Sequence, residues 1–258
     1  MNIGYRTVGF SDLPIESALQ AIAAAGYAAV ELCLEHPDLD PAVLTPERAV
    51  EVRKALEEHG LVLAAVSYHG VGDQLEVRRQ RTYQAIKLLP YLGAKLFVVA
   101  SRREEPARLN AQWQEAVELY CELAELCAQQ GCRLAVEPQP GLVVRSAEDL
   151  VKMMRSCAHP NLVGNLDIAH ASLTADDLGW AVYQLGPRLA HVHVADVANG
   201  THVHLVPGEG EIDFDEVRDI LDSNGYAGPL VIDLPKVEGD PVEICRQALE
   251  AFRREWGN

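Results

Sequence analysis

The chain alternates eight times between a short apolar run and a longer segment with the apolar period of a helix. Each run is followed by a polar loop, the pattern of a strand connected to a helix. Strands separated by helices lie parallel in one sheet, and eight such units close into a (β/α)8 barrel. The predicted strands span residues 2–8, 28–34, 61–67, 95–101, 133–138, 162–168, 189–195 and 230–234.

An open, doubly wound sheet is the alternative arrangement of the same units. Its dinucleotide-binding form carries a G-x-G-x-x-G turn after the first strand, and no such turn follows residues 2–8. A length of 258 residues is usual for a single barrel. We therefore expect an α/β fold, a single (β/α)8 barrel domain over residues 1–258.

Capping signals mark the ends of the helices between these strands. Side chains that can accept hydrogen bonds from the free N–H groups of a helix start occur at four places. Glycine, which adopts the left-handed C-cap conformation without a steric penalty, ends six helical segments. The predicted starts are Thr45 (before Pro46), Ser146, Thr174 and Asp213, and the predicted ends are Gly26, Gly60, Gly93, Gly131, Gly186 and Gly225.

Four consecutive strands end in a side chain that can bind a metal, on the strand face opposite the branched apolar residues. Reacting groups of a (β/α)8 barrel lie at the C-terminal ends of its strands, so these side chains are expected to converge. Crowded carboxylates repel one another unless a cation lies between them. An imidazole with three carboxylates suits one divalent ion: Mn, Mg, Co or Zn. The four residues are Glu137, Asp167, His193 and Asp233.

Other histidines surround this set in the sequence. His191 lies one layer deeper on the same strand as His193 and is expected to be an interior residue. His69 follows the third strand on its inward face. His202 and His204 precede the sequence GEGEIDF, where they anchor a loop, contact a substrate or bind a second metal.

Five segments resemble, in order and spacing, those of the xylose isomerase-like TIM-barrel superfamily: LAVEP, NLDIAH, HVHVAD, HVHLVPGEGEIDF and LVIDL. That superfamily includes sugar-phosphate isomerases and epimerases, hydroxypyruvate isomerase, inosose dehydratase and endonuclease IV. The resemblance implies one divalent metal held by Glu137, Asp167, His193 and Asp233, and a substrate contact by His170. The family's last ligand is usually Glu, and Asp233 is one methylene shorter, so it reaches less far toward the metal.

The resemblance also implies an isomerase or epimerase of a small sugar or sugar-like hydroxy-carbonyl compound. In such an enzyme the metal stabilises an enediolate, Glu137 removes the proton α to the carbonyl, and Asp233 returns a proton. Expulsion of a β-hydroxyl at the same site would make the enzyme a dehydratase, for example of an inosose. The expected substrate-binding residues are His69, His170, His202 and His204.

Two other functions stay open at this point. An endonuclease IV-like phosphodiesterase is the first, because His69, His202 and His204 resemble part of the residue set that binds several zinc ions in that enzyme. Residues 98–105, VVASRREE, place Ser and Arg where that enzyme has a further histidine. A non-catalytic sugar-binding barrel is the second, with Asp233 as the sign of lost chemistry.

Composition limits the partners and the compartment. The formal net charge of −16 repels nucleic acid and anionic membranes, so we expect neither as a partner. No signal peptide or membrane-spanning run is visible. The six cysteines lack C-x-x-C spacing and are expected to be free thiols in the cytoplasm. A small sugar is the expected partner, and a homo-oligomer stays possible.

Overall fold

The computed structural model describes residues 2–70, 72–235 and 238–257. Eight parallel strands form a closed barrel in chain order, and β8 pairs with β1 to close it. Every strand lies inside one of the predicted runs, so the (β/α)8 prediction is confirmed. The strands are β1 (Ile3–Arg6), β2 (Ala29–Cys33), β3 (Val62–Ser67), β4 (Leu96–Ala100), β5 (Arg133–Glu137), β6 (Leu162–Asp167), β7 (Leu189–Val194) and β8 (Leu230–Ile232).

The helices surround the barrel, and contact between the last and the first closes their ring. Two of them lie between β6 and β7. None within the described residues is long and apolar enough to cross a membrane. The helices are α1 (Ile15–Ala25), α2 (Pro46–Glu58), α3 (Leu75–Leu92), α4 (Leu109–Gln129), α5 (Ala147–Cys157), α6 (Ile168–Leu173), α7 (Leu178–Leu185), α8 (Phe214–Ser223) and α9 (Pro241–Trp256).

Three of the four predicted helix starts are confirmed. The side chains of Thr45, Ser146 and Asp213 each accept a hydrogen bond from the backbone N–H three residues later. The prediction for Thr174 is wrong, because this residue ends α6. Asp177 caps α7 instead. The short α6 begins directly at the end of β6, without the loop that separates the other strands from their helices, and this shifts the next start.

The predicted glycines all have positive φ, as the helix ends require. Gly26 and Gly93 adopt the left-handed C-cap conformation, with φ of 95° and 76°. In the α5 unit, which has no glycine at this place, Ala158 takes the left-handed conformation with φ of 53°. Gly186 departs from the expected cap, because its ψ is −129°.

The barrel interior changes from apolar to charged along its axis. Buried apolar side chains from β3 to β6 form a small cluster inside the barrel, separate from the large core between strands and helices. The alternation of side chains along each strand produces these two cores. The charged residues at the C-terminal strand ends lie on the same inward faces. The inner cluster consists of Ala65, Leu96, Val98, Ala135 and Val163.

The expectation of six free thiols is wrong for one pair. Cys121 of α4 and Cys157 at the end of α5 form a disulfide, with their Cα atoms 5.5 Å apart. The two helices are neighbours in the outer ring. Their 36-residue separation gives no sequence signal for the pairing. The other four cysteines are free and buried.

Candidate active site

The four strand-end residues predicted as ligands converge at the C-terminal mouth of the barrel. Each is at most 2% exposed. The Nδ1 atom of His193 lies 3.2 Å from a carboxylate oxygen of Glu137. Oxygens of Asp233 and Asp167 lie 3.8 Å and 4.0 Å from the same nitrogen. One imidazole nitrogen therefore faces three carboxylates.

Glu31 of β2, which sequence reasoning missed, orients this imidazole. Its Oε2 atom lies 2.8 Å from Nε2 of His193 and 2.7 Å from Nε2 of His191. An ionised carboxylate only accepts hydrogen bonds, so both Nε2 atoms donate and Nδ1 of His193 points into the site. Metal-binding imidazoles commonly have such carboxylate support. The prediction that His191 is an interior residue is confirmed, since it is fully buried.

Amide groups hold both oxygens of Glu137. Asn165 donates to Oε2 at 2.8 Å, and Gln139 donates to Oε1 at 2.8 Å. Burial raises the pKa of Glu137, but the charge of His193, together with hydrogen bonds from His170 and His193, outweighs burial and keeps the pKa well below its usual range. Glu137 is therefore a fixed carboxylate that is ionised at neutral pH.

Two histidines flank Glu137. Nε2 of His69 lies 3.3 Å from one oxygen, and Nδ1 of His170 lies 3.4 Å from the other. Arg6 donates to Nδ1 of His69 at 3.0 Å, so the proton of His69 is on Nε2, which faces Glu137. Burial lowers the pKa of His170, but Asp167 and Glu137 raise it to about 8 overall. Both imidazoles can donate hydrogen bonds into the site.

His202 and His204 extend from the loop after β7 to the mouth of the barrel. His204 donates from Nδ1 to the backbone carbonyl of Asp233 at 2.8 Å, and its Nε2 lies 3.3 Å from Nε2 of His170. The rings of His170 and His202 meet edge to face, with centroids 4.8 Å apart. All four histidines predicted to bind substrate therefore surround the mouth, with His202 the most exposed of them.

Buried Asp196 shapes the loop that carries these two histidines. One carboxylate oxygen accepts from the backbone N–H groups of Gly208 and Gly210, each at 2.9 Å. The other accepts from Val197 at 2.9 Å and Ile212 at 3.1 Å. The sequence GEGEI is therefore a turn wrapped around one side chain, and it fixes the loop over the site.

Arg6 at the end of β1 is the second residue that sequence reasoning missed. Its Nη1 atom lies 3.0 Å and 3.1 Å from the two carboxylate oxygens of Asp233, and its Nε lies 2.9 Å from Glu31. Burial raises the pKa of Asp233, but Arg6 and then His193 lower it below its usual range. Arg6 and Asp233 thus form a buried ion pair.

Carboxylates outnumber guanidinium groups in this part of the barrel. Burial lowers the pKa of His193, but the charges of Glu31 and Glu137 raise it well above its usual range. The site therefore attracts positive charge. Its four carboxylates, Glu31, Glu137, Asp167 and Asp233, surround one buried arginine, Arg6.

A buried oxygen that lacks a hydrogen-bond partner tests whether a metal fits this site. Oδ2 of Asp167 is buried and has no hydrogen-bond partner within the described ranges. It lies 3.8 Å from Nδ1 of His170 and 4.0 Å from Nδ1 of His193. A buried carboxylate oxygen without a partner is costly, and a cation removes that cost. Ligand atoms of Glu137, Asp167 and His193 lie within 4.8 Å of one another, so these residues fit a divalent ion.

The alternation of inward- and outward-facing side chains along a strand, which predicted Glu137, could also have identified Arg6 and Glu31. Arg6 ends β1 on the same face as Gly4, and Glu31 lies inside β2 on the face of Ala29. A charged residue within a short apolar strand is the signal in both cases. The residues that Arg6 and Glu31 contact, however, depend on how the barrel closes.

Comparison with known proteins agrees with this architecture. The family described as xylose isomerase-like TIM barrel matches residues 19–255. The chain belongs to this family. The resemblance inferred from the five sequence segments is thereby confirmed, and the matched region extends from within α1 to the last turn of α9.

Known proteins are similar to this chain over nearly its whole length. Fructoselysine 3-epimerase of Escherichia coli O157:H7 is 27% identical over 271 residues, covering 98% of each chain. Inosose dehydratase of Erwinia tasmaniensis is 25% identical over 300 residues, covering 99% of this chain and 96% of the relative.

Solved structures share the fold. The structure of 3-keto-D-glucoside 4-epimerase, YcjR, from E. coli has a TM-score of 0.79 and 22% identity, covering 98% of this chain and 99% of its own. The IOLI protein with a bound zinc atom has a TM-score of 0.84 and 16% identity, covering 99% and 98%.

Proposed function

We propose that the protein is a metal-dependent isomerase or epimerase of a small sugar or sugar-like hydroxy-carbonyl compound. Sugar epimerases among its relatives support the activity class. The zinc atom in a structure of the same fold is consistent with a metal. The main support is in the chain itself: Glu137, Asp167 and His193 face one point, where a buried oxygen of Asp167 lacks a partner within the described residues.

Glu137, Asp167 and His193 are the side chains that would hold the ion, and Asp233 faces it from the end of β8. When bound, the ion supplies Lewis acidity, which stabilises negative charge on the carbonyl oxygen of the substrate. Divalent ions that accept this mixture of oxygen and nitrogen ligands include Mn, Mg, Co and Zn.

Glu137 is the group that removes the proton from the carbon next to the carbonyl. Its lowered pKa keeps it ionised, and the amides of Asn165 and Gln139 fix both oxygens. A base held in this way needs little reorganisation before the reaction. Asp233, expected to return a proton, has both oxygens bound to Arg6, which restricts that role.

The histidines orient the hydroxyl groups of the substrate. His69 and His170 present nitrogens on either side of Glu137, at 3.3 Å and 3.4 Å from its oxygens. His204 and His202 close the mouth above them. Because imidazole nitrogens are hydrogen-bonding groups, a set of four suits a ligand with several adjacent hydroxyls.

A dehydratase is the second candidate. An inosose dehydratase is among the relatives of similar coverage. His170, whose pKa is raised to about 8, is protonated at neutral pH and can give a proton to a departing hydroxyl. In that reaction Glu137 removes the α proton and water leaves from the adjacent carbon, so no proton has to return to the opposite face.

Solvent exchange tests the proposal. Candidate ketoses and inososes are incubated with the protein in D₂O, with Mn²⁺, Mg²⁺, Co²⁺ or Zn²⁺ or with a chelator, and followed by NMR. We expect deuterium at the carbon α to the carbonyl when an isomer or epimer forms, and loss of water when a dehydratase acts. Unchanged turnover in the chelated protein would contradict metal dependence.

The base is tested by Glu137→Gln at saturating metal. Loss of a general base typically costs about 10²- to 10⁴-fold in rate, and we expect a fall in that range. Glu118→Gln is the matched control, because Glu118 is exposed on α4. A Glu137→Gln protein as active as this control would refute the assignment.

A further inference from the structure

We propose that Arg6 holds Asp233 away from the ion, so that Glu137, Asp167 and His193 are its protein ligands. The inference rests on the metal site of the proposed function and removes Asp233 from the four ligands expected from the sequence. Arg6 is a positioning residue, because it acts through Asp233. Catalytic metal sites commonly have three protein ligands and an open position, and this arrangement leaves such a position for the substrate.

Barrel closure places Arg6 beside Asp233. Tyr5 of β1 pairs with Ile232 of β8, so the next residue of each strand is again adjacent. On the other side, Arg6 pairs in register with Glu31 of β2. The guanidinium therefore lies between two inward-facing carboxylates.

Each nitrogen of the guanidinium has a partner, which fixes the side chain in place. Nη1 bonds both oxygens of Asp233, Nε lies 3.2 Å from the hydroxyl of Ser67 and 2.9 Å from Glu31, and Nη2 lies 3.0 Å from His69. Arg6 is only 5% exposed. Releasing Asp233 to a metal would require rearranging this whole network.

Asp167 and Asp233 differ in how far a neighbouring cationic side chain neutralises the carboxylate. Asp167 leaves Oδ2 without a hydrogen bond among the described residues, whereas both oxygens of Asp233 are bonded to Arg6. An ion on Oδ2 of Asp233 would lie near the cationic Nη1, which is 3.0 Å from that oxygen. Positive charges this close repel strongly in a buried site, so an ion is favoured at Asp167.

The backbone of Asp233 is also held, so the short side chain cannot move forward as a whole. Its N–H donates to the carbonyl of Val194 at 3.0 Å, and its carbonyl accepts from His204 at 2.8 Å. The carboxylate stays 3.8 Å from Nδ1 of His193, compared with 3.2 Å for Glu137. Asp167 lies at a similar 4.0 Å, so it is the pair of hydrogen bonds to Arg6, and not the distance from His193, that sets Asp233 apart.

Matched isosteric substitutions test the inference through metal affinity. Mn²⁺ dissociation constants are measured for the unaltered protein, Asp167→Asn and Asp233→Asn, with folding checked by circular dichroism. Outer-sphere partners usually contribute about 10- to 100-fold to affinity, so we expect a loss of more than about 100-fold for the ligand variant Asp167→Asn and a smaller loss, within about 10- to 100-fold, for Asp233→Asn. The absorption bands of bound Co²⁺ should change only in the Asp167 variant.

Removing the guanidinium should release Asp233. We expect Arg6→Met to bind Mn²⁺ at least about tenfold more tightly, because a nearby positive charge is lost and a carboxylate is freed. Adding Asp233→Asn to Arg6→Met should cancel the gain. If Asp233→Asn weakens binding as much as Asp167→Asn, or if Arg6→Met leaves the affinity unchanged, the inference is overturned.

A crystal structure of the unaltered protein with Mn²⁺ gives the answer without a substitution. We expect Asp233 to remain on Arg6, with its oxygens beyond the ~2.0–2.2 Å of a bound carboxylate. An Asp233 oxygen within that range would overturn this inference alone. Absence of any ion binding by the unaltered protein would overturn it together with the metal dependence of the proposed function.

Discussion

Glu31→Gln should destabilise the protein although Glu31 touches neither the proposed base nor the substrate-binding histidines. The substitution keeps the shape of the side chain and removes its charge. Glu31 is fully buried, hydrogen-bonds His191 and His193 through Oε2 and forms an ion pair with Arg6 through Oε1. The amide group of Gln would also direct N–H donors toward groups that now donate to Glu31.

The size of the effect follows from the burial of these partners. Removing one partner from a buried charged network typically costs about 3–5 kcal/mol, because the remaining charge is left unpaired. Asp233 still pairs with Arg6 through two hydrogen bonds, so the lower end of that range applies. In a chain of this size a loss of about 3 kcal/mol corresponds to a melting temperature lower by about 6–12 °C.

Urea and thermal unfolding of the metal-free protein measure this effect. Glu118→Gln, an exposed site on α4, is the control and should lie within about 0.5 kcal/mol of the unaltered protein. Mn²⁺ affinity of Glu31→Gln should fall by about 10- to 100-fold, because His193 loses the carboxylate that orients it. If the variant melts with the control, Glu31 does not stabilise the network as described.

The free energy of unfolding of the metal-free protein should fall as pH rises through about 8, where the raised pKa of His170 lies. This stabilisation by protonated His170 is complete below the ordinary pKa of about 6.5, and losing it lowers the free energy of unfolding by about 2 kcal/mol. If the free energy of unfolding of His170→Gln falls equally with pH, His170 is not the cause. Gly210→Ala should lower the urea midpoint, because a Cβ there would overlap the carboxylate of Asp196, and an unchanged midpoint would show that the turn can adjust. Asp177→Ala should lower the free energy of urea unfolding by about 1 kcal/mol as a lost N-cap, and no loss would show that this cap does not stabilise α7.

The sequence was sufficient to predict every strand and the convergence of the four strand-end side chains. Both follow from local alternation, since a strand sends successive side chains to opposite faces. Capping signals are also local, but the one at Thr174 failed, because α6 begins directly at the end of β6. Local patterns gave no information on Cys121 and Cys157, which meet through the packing of two helices.

The sequence by itself determined the (β/α)8 fold and the acidic, histidine-rich mouth of the barrel, because repeated periodicity is a local property of the chain. Only the tertiary structure decided which charges neutralise one another there. Arg6 and Asp233 are 227 positions apart, and Glu31 and His193 are 162 apart. These pairs depend on how the sheet closes: β8 adjoins β1, while Glu31 and His193 meet across the interior of the barrel.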